Sequence, residues 1–232
     1  MNSEIFFNLS NEQISIIIFD KDSKKQISNK IFNFSDLSTN NMSIEDGINH
    51  VLKNQIIYIE EIINTSINSI NLMLEEKNSL SIKASVKKDY DKNPIQKNQI
   101  EYLIQDLKQQ ILKNNSDLKI LHIIVDNFIV DEQHFDVIPL EKICNELVIE
   151  VRFICCKKNY INFLKNIFKK YQINFKKIIC TKYAKSLVES DPYNILEAGL
   201  RVVNGFNSKE VIVFPKKPSK LGFFERIFHL FS

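Results

Sequence analysis

Two periodicities take turns along this chain. Ile5–Phe7 and Ile14–Phe19 are short, nearly continuous apolar runs separated by Asn8-Leu9-Ser10-Asn11-Glu12, which predicts two strands joined by a turn. Gln26–Phe34 predicts a third strand, and 36–41 a loop. Ser43 then stands as an N-cap, with Glu45 and Asp46 in the first turn of a helix. That helix gathers Ile44, Ile48, Val51, Leu52, Ile59, Ile62 and Ile63 on one broad face. Ser69–Leu74 predicts the strand that closes this first unit.

A second unit opens near Ser79. Leu80–Val86 alternates weakly, as an exposed strand does, and Ile100, Leu103, Ile104, Leu107 and Ile111 mark an amphipathic helix. Leu118–Val130 is a long strand. Leu147, Ile149, Val151 and Phe153 place a fully apolar face on another. Tyr160, Phe163, Leu164, Ile167, Phe168 and Tyr171 then line a second strong helix, followed by a strand over Phe175–Cys180. Tyr183–Asn204 predicts helix in two pieces around Pro192. Strands and helices in this mixture predict an α/β or α+β protein rather than a bundle.

The last twelve residues differ from the rest. On a helix Phe224, Ile227, Phe228 and Phe231 share one face, with Leu221, Phe223 and Leu230 beside them and Glu225, Arg226 and His229 opposite. Spanning a bilayer takes roughly 20 apolar residues. A segment this short suits the membrane interface instead, apolar face down. It follows Phe214–Lys220, where Pro215 and Pro218 disfavour helix, and Lys216, Lys217 and Lys220, with Arg226, can meet anionic headgroups. A last core helix packed on its own body is the competing account of this pattern.

Composition narrows the rest. The 232 residues are 44% hydrophobic and 25% charged, which is globular. A net charge of +3 does not by itself imply nucleic acid, although Lys157, Lys158, Lys165, Lys169, Lys170, Lys176, Lys177, Lys182 and Lys185 crowd one region. The polar, acidic start Met1–Glu4 is not a signal peptide, and no transmembrane run occurs. Cys144, Cys155, Cys156 and Cys180 show no zinc spacing and read as buried free thiols in a reducing cytoplasm. The stretch Asp131–Asp136, with His134, reads as a connector rather than a metal site, and His50, His122 and His229 read as packing residues.

Residues 120–130 (ILHIIVDNFIV), 147–155 (LVIEVRFIC), 173–180 (INFKKIIC) and 184–187 (AKSL) resemble the bacterial cell-division protein FtsA in order and spacing, as do Pro192-Tyr193 and Ala198-Gly199-Leu200. The resemblance is best over 95–187 and extends to 1–75. It implies a single actin-like domain of the 1A type, formed by 1–78 and 158–204. A strand-helix-strand-strand (SHS2, 1C-like) subdomain over 79–157 is inserted in it. A linker over 205–220 and a membrane-targeting amphipathic helix over 221–232 follow. Joining Leu187 to Pro192 would excise the family's second domain, on which FtsZ binding rests, so direct FtsZ binding does not carry over to this chain.

In that family a turn carrying an acid and glycine lets the backbone approach phosphate and organises the metal. Here Asn8 stands where the acid is expected and Ser10 where the glycine is. The resemblance therefore implies a non-catalytic chain with no ATP cofactor and no metal. It implies a cytoplasmic adaptor on the bacterial inner membrane at the division site, recruiting division proteins and self-associating. Two rivals stay open: a pilus or secretion assembly scaffold of the same broad fold, and a soluble nucleic-acid-binding or regulatory protein using the lysine-rich surface.

Overall fold

A computed structural model describes residues 2–37, 43–75, 77, 79–189 and 194–211. Its centre is a five-stranded sheet of β1 (Ser3–Leu9), β2 (Gln13–Asp20), β3 (Lys25–Asn33), β4 (Ser69–Leu74) and β9 (Asn174–Cys180). The strand order is β3-β2-β1-β4-β9. β1, β2 and β3 pair antiparallel, whereas β4 joins β1, and β9 joins β4, in parallel. No residue of β1 or β2 is exposed, because both faces of this sheet are covered.

One face carries α2 (Ile44–Ile63) and α4 (Lys158–Lys169), whose apolar stripes pack on Phe7, Ile14, Ile16 and Leu72. α2 begins as the sequence predicts, with the Ser43 hydroxyl accepting from the Asp46 N–H at 3.1 Å, and stops at Asn64 in the left-handed region. Phe168 of α4 meets Phe7 edge-on at 5.6 Å between centroids. The short α1 (Phe34–Leu37) precedes α2. The other face carries α5 (Thr181–Lys185) and α6 (Ile195–Val203) on Phe6, Ile17, Met73 and Ile179. Gly199 lets α6 come this close: a Cβ there would lie 2.8 Å from the Phe6 ring and 3.2 Å from the Met73 sulfur.

The second sheet is antiparallel, in the order β5-β8-β6-β7, from β5 (Ser79–Pro94), β6 (Leu118–Val130), β7 (Gln133–Phe135) and β8 (Ile143–Lys157). α3 (Lys97–Asn114) covers one of its faces with Ile100, Ile104 and Leu107 over Leu147, Ile149, Val151 and Phe153. The chain passes from β4 into this unit and back through β8 directly into α4. The molecule is an α/β protein in which the second sheet, with α3, is inserted between β4 and α4.

Four local expectations change. Asp131–Asp136 is not a bare connector: it contains β7, a three-residue strand too short to register as a period. β5 runs to Pro94, because its polar second half remains paired to β8 across a bulge. Among the described residues after Cys180, helix covers only α5 and α6, which residues 186–194 separate. Finally, 205–211 is not free spacer. Val125 N–H donates to the Lys209 carbonyl at 2.9 Å and Val211 N–H to the Ile123 carbonyl at 2.8 Å, so these residues add a short antiparallel stretch to the edge of β6.

Candidate functional site

The turn between β1 and β2 is the one that the sequence resemblance marks as a phosphate cradle. Three of its backbone donors are already used. The Ser10 N–H donates to the Gln13 carbonyl at 2.9 Å, and the Ser10 hydroxyl oxygen accepts from the backbone N–H of Glu12 at 3.2 Å and of Gln13 at 3.0 Å. A short polar side chain thus takes up the amides that a glycine turn would leave for a ligand. Asn8, buried near the end of β1, accepts a hydrogen bond from the Thr181 hydroxyl at 3.1 Å. It ties β1 to the start of α5 and carries no charge with which to hold a cation. These residues do not fit a nucleotide phosphate or its metal.

A second polar cluster lies at the seam between the two sheets, and single-residue reading of the sequence misses it. His122 of β6 is fully buried. Its Nε2 accepts from the Cys180 N–H at 3.0 Å, so Nδ1 carries the proton and donates to Glu210 at 2.8 Å. The other Glu210 oxygen accepts from the Tyr183 hydroxyl at 2.8 Å, and Asn207 donates to that hydroxyl at 3.0 Å. Lys177 stands 4.0 Å from Glu210. Burial, the largest influence, holds His122 below its ordinary pKa of 6.5 against the opposing pull of Glu210. Burial would raise Glu210, but the hydrogen bonds and charges of His122, Tyr183 and Lys177 outweigh it and hold the carboxyl below 4.5. His122 is therefore a polar joint, not a packing residue. Its partner is 88 positions away, so no motif announces it.

A third cluster sits under the first sheet. Glu4 is 3% exposed and accepts from Asn71 at 2.6 Å, from Lys21 at 2.5 Å and from Lys176. Asn71 is fully buried, and its Oδ1 has no partner.

The other sequence candidates disperse. Asp131 accepts the Asn145 and Glu146 N–H groups, Asp136 pairs with Lys209 at 2.6 Å, and His134 contacts Asn127. Among the described residues no group of three or more His, Cys, Asp or Glu is placed to hold a metal. The four cysteines are buried and unpaired, and burial pushes the Cys155 and Cys156 thiols up to about 11, which suppresses the reactive thiolate. The lysines do not form one surface. Lys158 reaches the Ser116 carbonyl, Lys170 pairs with Glu45, Lys176 with Glu4, and Lys177 donates to the Val202 carbonyl. Lys165 and Lys169 stay exposed on α4.

The membrane candidates Lys216, Lys217, Lys220, Leu221, Phe223, Phe224, Arg226, Ile227, Phe228, Leu230 and Phe231 lie outside the described residues. Among the described residues no helix is long and apolar enough to cross a membrane.

No protein-family model matches this chain, and no curated protein matches it. Solved structures do. The cytoplasmic domain of EpsL, an inner-membrane component of the type II secretion system of Vibrio cholerae, is 12% identical over 78% of this chain and 58% of its own, with TM-score 0.40. A PilM–PilN type IV pilus biogenesis complex matches at 7% identity over 79% and 49%, with TM-score 0.48. A Bacteroides thetaiotaomicron protein with an actin-like ATPase fold matches at 16% over 75% and 51%, with TM-score 0.30. This chain spans roughly half the length of these structures (58%, 49% and 51% of each).

Proposed function

We propose that this chain is a non-catalytic, membrane-attached adaptor of FtsA type, an actin-like scaffold that recruits bacterial division proteins through its strand-helix-strand-strand unit. The observation that carries the non-catalytic part is the self-filled turn: Ser10 occupies the amides of Glu12 and Gln13, and Asn8 is committed to Thr181. Opening that turn would break three hydrogen bonds before any phosphate bonded, each worth about 1 kcal/mol net. A glycine turn carries no such cost. The short path from α5 to α6, with only 186–194 between them, supports the excision of a second domain at that point. Attachment rests on the amphipathic pattern of 221–232 behind the basic 214–220 segment.

Titration with Mg-ATP by calorimetry is expected to give no saturable heat at micromolar to millimolar nucleotide. Micromolar affinity would refute the non-catalytic reading.

A pilus or secretion assembly scaffold is the second reading. It shares this body and makes no use of an amphipathic terminal segment, so lipid binding by 221–232 separates the two. The nucleic-acid reading is weakened by the lysines themselves, since Lys158, Lys170, Lys176 and Lys177 are spent on internal contacts.

A further inference from the structure

β3 ends the first sheet, and among the described residues no strand pairs with its outer side. Its backbone directions follow from the pairing with β2. The Phe34 N–H donates to the Glu12 carbonyl at 2.7 Å, and the register sets Ile14 against Phe32, Ile16 against Lys30 and Ile18 against Ser28. Bonding alternates along an antiparallel pair, so these even-numbered residues of β3 turn their N–H and C=O groups to β2. Asn29, Ile31 and Asn33 turn theirs outward.

Natural sheet edges are commonly guarded by charge, proline or a bulge. Between Gln26 and Ser35 the sequence has no proline, and its one charge is Lys30. That ammonium is drawn back to the α2 side, 3.2 Å from the centroid of the Tyr58 ring and 3.1 Å from Gln55 Oε1. The bulge falls where Ile18 and Phe19 meet Ser28 and Gln26, so it sets Ile27 aside and leaves 28–33 unbroken. In the middle of that unbroken stretch Ile31 is 58% exposed.

We propose that β3 pairs antiparallel with β3 of a second copy of this chain, about a two-fold axis through Ile31, and so joins two five-stranded sheets edge to edge. The edge is its own complement about that axis. Ile31 meets Ile31 of the partner subunit, Asn29 meets the partner's Asn33, and Lys30 meets the partner's Phe32. Outward residues face outward residues, so the Ile31 pair and both Asn29–Asn33 pairs can each exchange two N–H···O bonds. Neighbouring registers fit worse. An axis at Lys30 sets two ammonium groups face to face, which is destabilising. One at Asn29 draws the bulged Ile27 into the ladder, and one at Phe32 runs Asn29 against Ser35 of α1.

Charge at the ends points to the same partner. The strand is basic where it begins, at Lys24 and Lys25, and acidic just past its end, where the Asn33 amide holds Asp36 at 2.8 Å. The acids nearest those lysines accept hydrogen bonds already, Asp20 from the Ser23 hydroxyl and Asp22 from the Asn2 N–H. Antiparallel pairing of two copies sets each basic end beside the other's Asp36. Opposite charges therefore meet twice by symmetry. Only a short ladder is buried, so the dimer is weak and exchanges readily. Neither the lipid attachment nor the division role is needed for it, and its test is read without lipid.

Single cysteines placed in the full chain and oxidised with copper and dissolved oxygen read the register. Ile31→Cys should form a disulfide dimer, because paired Cα atoms lie about 5.5 Å apart. That is inside the disulfide range of about 4.4–6.8 Å. Asn29→Cys alone should not, since its two copies stand about 13 Å apart along the ladder; mixed with Asn33→Cys it should. Val137→Cys, at a site 73% exposed, measures chance collision. The four native cysteines are buried and common to all. Ile31→Cys linking no faster than Val137→Cys overturns the proposal, as does Asn29→Cys linking to itself as fast as Ile31→Cys. In sedimentation, Ile31→Lys should weaken the dimer at least about tenfold, since it sets like charges on the axis; an unchanged dimer overturns the proposal. The native chain gives a reading free of any variant. Hydrogen exchange at Asn29, Ile31 and Asn33 should slow severalfold as concentration rises through the micromolar range, while Ser28, Lys30 and Phe32 stay constant. Exchange at those three amides that is independent of concentration contradicts the pairing.

Discussion

Phe228→Asp in the full chain is expected to abolish flotation with liposomes containing anionic lipid, and Phe224→Asp to do the same. On the proposed attachment, the reason is a narrow energy margin. About five large apolar side chains entering the interface, at roughly 1.5 kcal/mol each, give about 7 kcal/mol. Ordering a helix this short takes back much of that. An aspartate removes one contribution and places a charge in the interface, which is enough to consume what remains. The same margin makes a single tail a weak anchor, so flotation should also fall on dilution as copies of the chain separate and lose the advantage of a second tail held nearby. Unchanged flotation in both variants would mean that these residues pack on the protein rather than on lipid.

Glu4→Ala is expected to cost about 2 kcal/mol of stability in urea denaturation, and Glu4→Gln clearly less. Removing one partner of a buried charge pair commonly costs about 3–5 kcal/mol because the survivor is stranded. Here the lysines escape part of that penalty: Lys21 and Lys176 are 38% and 49% exposed and can turn to water. Asn71 cannot, since it is fully buried and its Oδ1 already lacks a partner. Glutamine keeps an acceptor for Asn71. Acid sensitivity should separate the two further. Burial would raise the pKa of Glu4, but hydrogen bonds from Lys176, Lys21 and Asn71 overcome it and hold the carboxyl below 4.5. A carboxyl depressed by folding lends stability above pH 4.5 and withdraws it as the pH falls towards the folded pKa. Glu4→Gln should therefore flatten the loss of stability below pH 4.5. A loss under 0.5 kcal/mol for Glu4→Ala, or an unchanged acid limb in Glu4→Gln, would show the cluster to be incidental.

The parts legible in the sequence are those with a long apolar period. β2, β6, α2 and α4 each bury one face or both, and each declares itself over enough residues for the pattern to be distinct. The second half of β5 is exposed and charged at an edge, so its residues follow no apolar rhythm although their backbone is paired. β7 is three residues long.

Ser10 was half legible. A serine in place of glycine suggests a degenerate turn, but only the geometry shows its hydroxyl taking the Glu12 and Gln13 amides. The joint of His122 with Glu210 and Tyr183 was not legible at all, because three residues from distant segments meet only after both sheets have formed. A lone histidine in an apolar strand and a lone glutamate near a chain end each have an unremarkable local explanation. Only their meeting removes it.

The proposed function is that of an inert actin-like body held at the inner membrane by residues 221–232 and working in division. A fluorescent fusion of the full chain, imaged in its host beside the same fusion lacking 221–232, tests this most directly. Bands at midcell that disappear with the segment are the predicted result. Diffuse fluorescence from both fusions would contradict it.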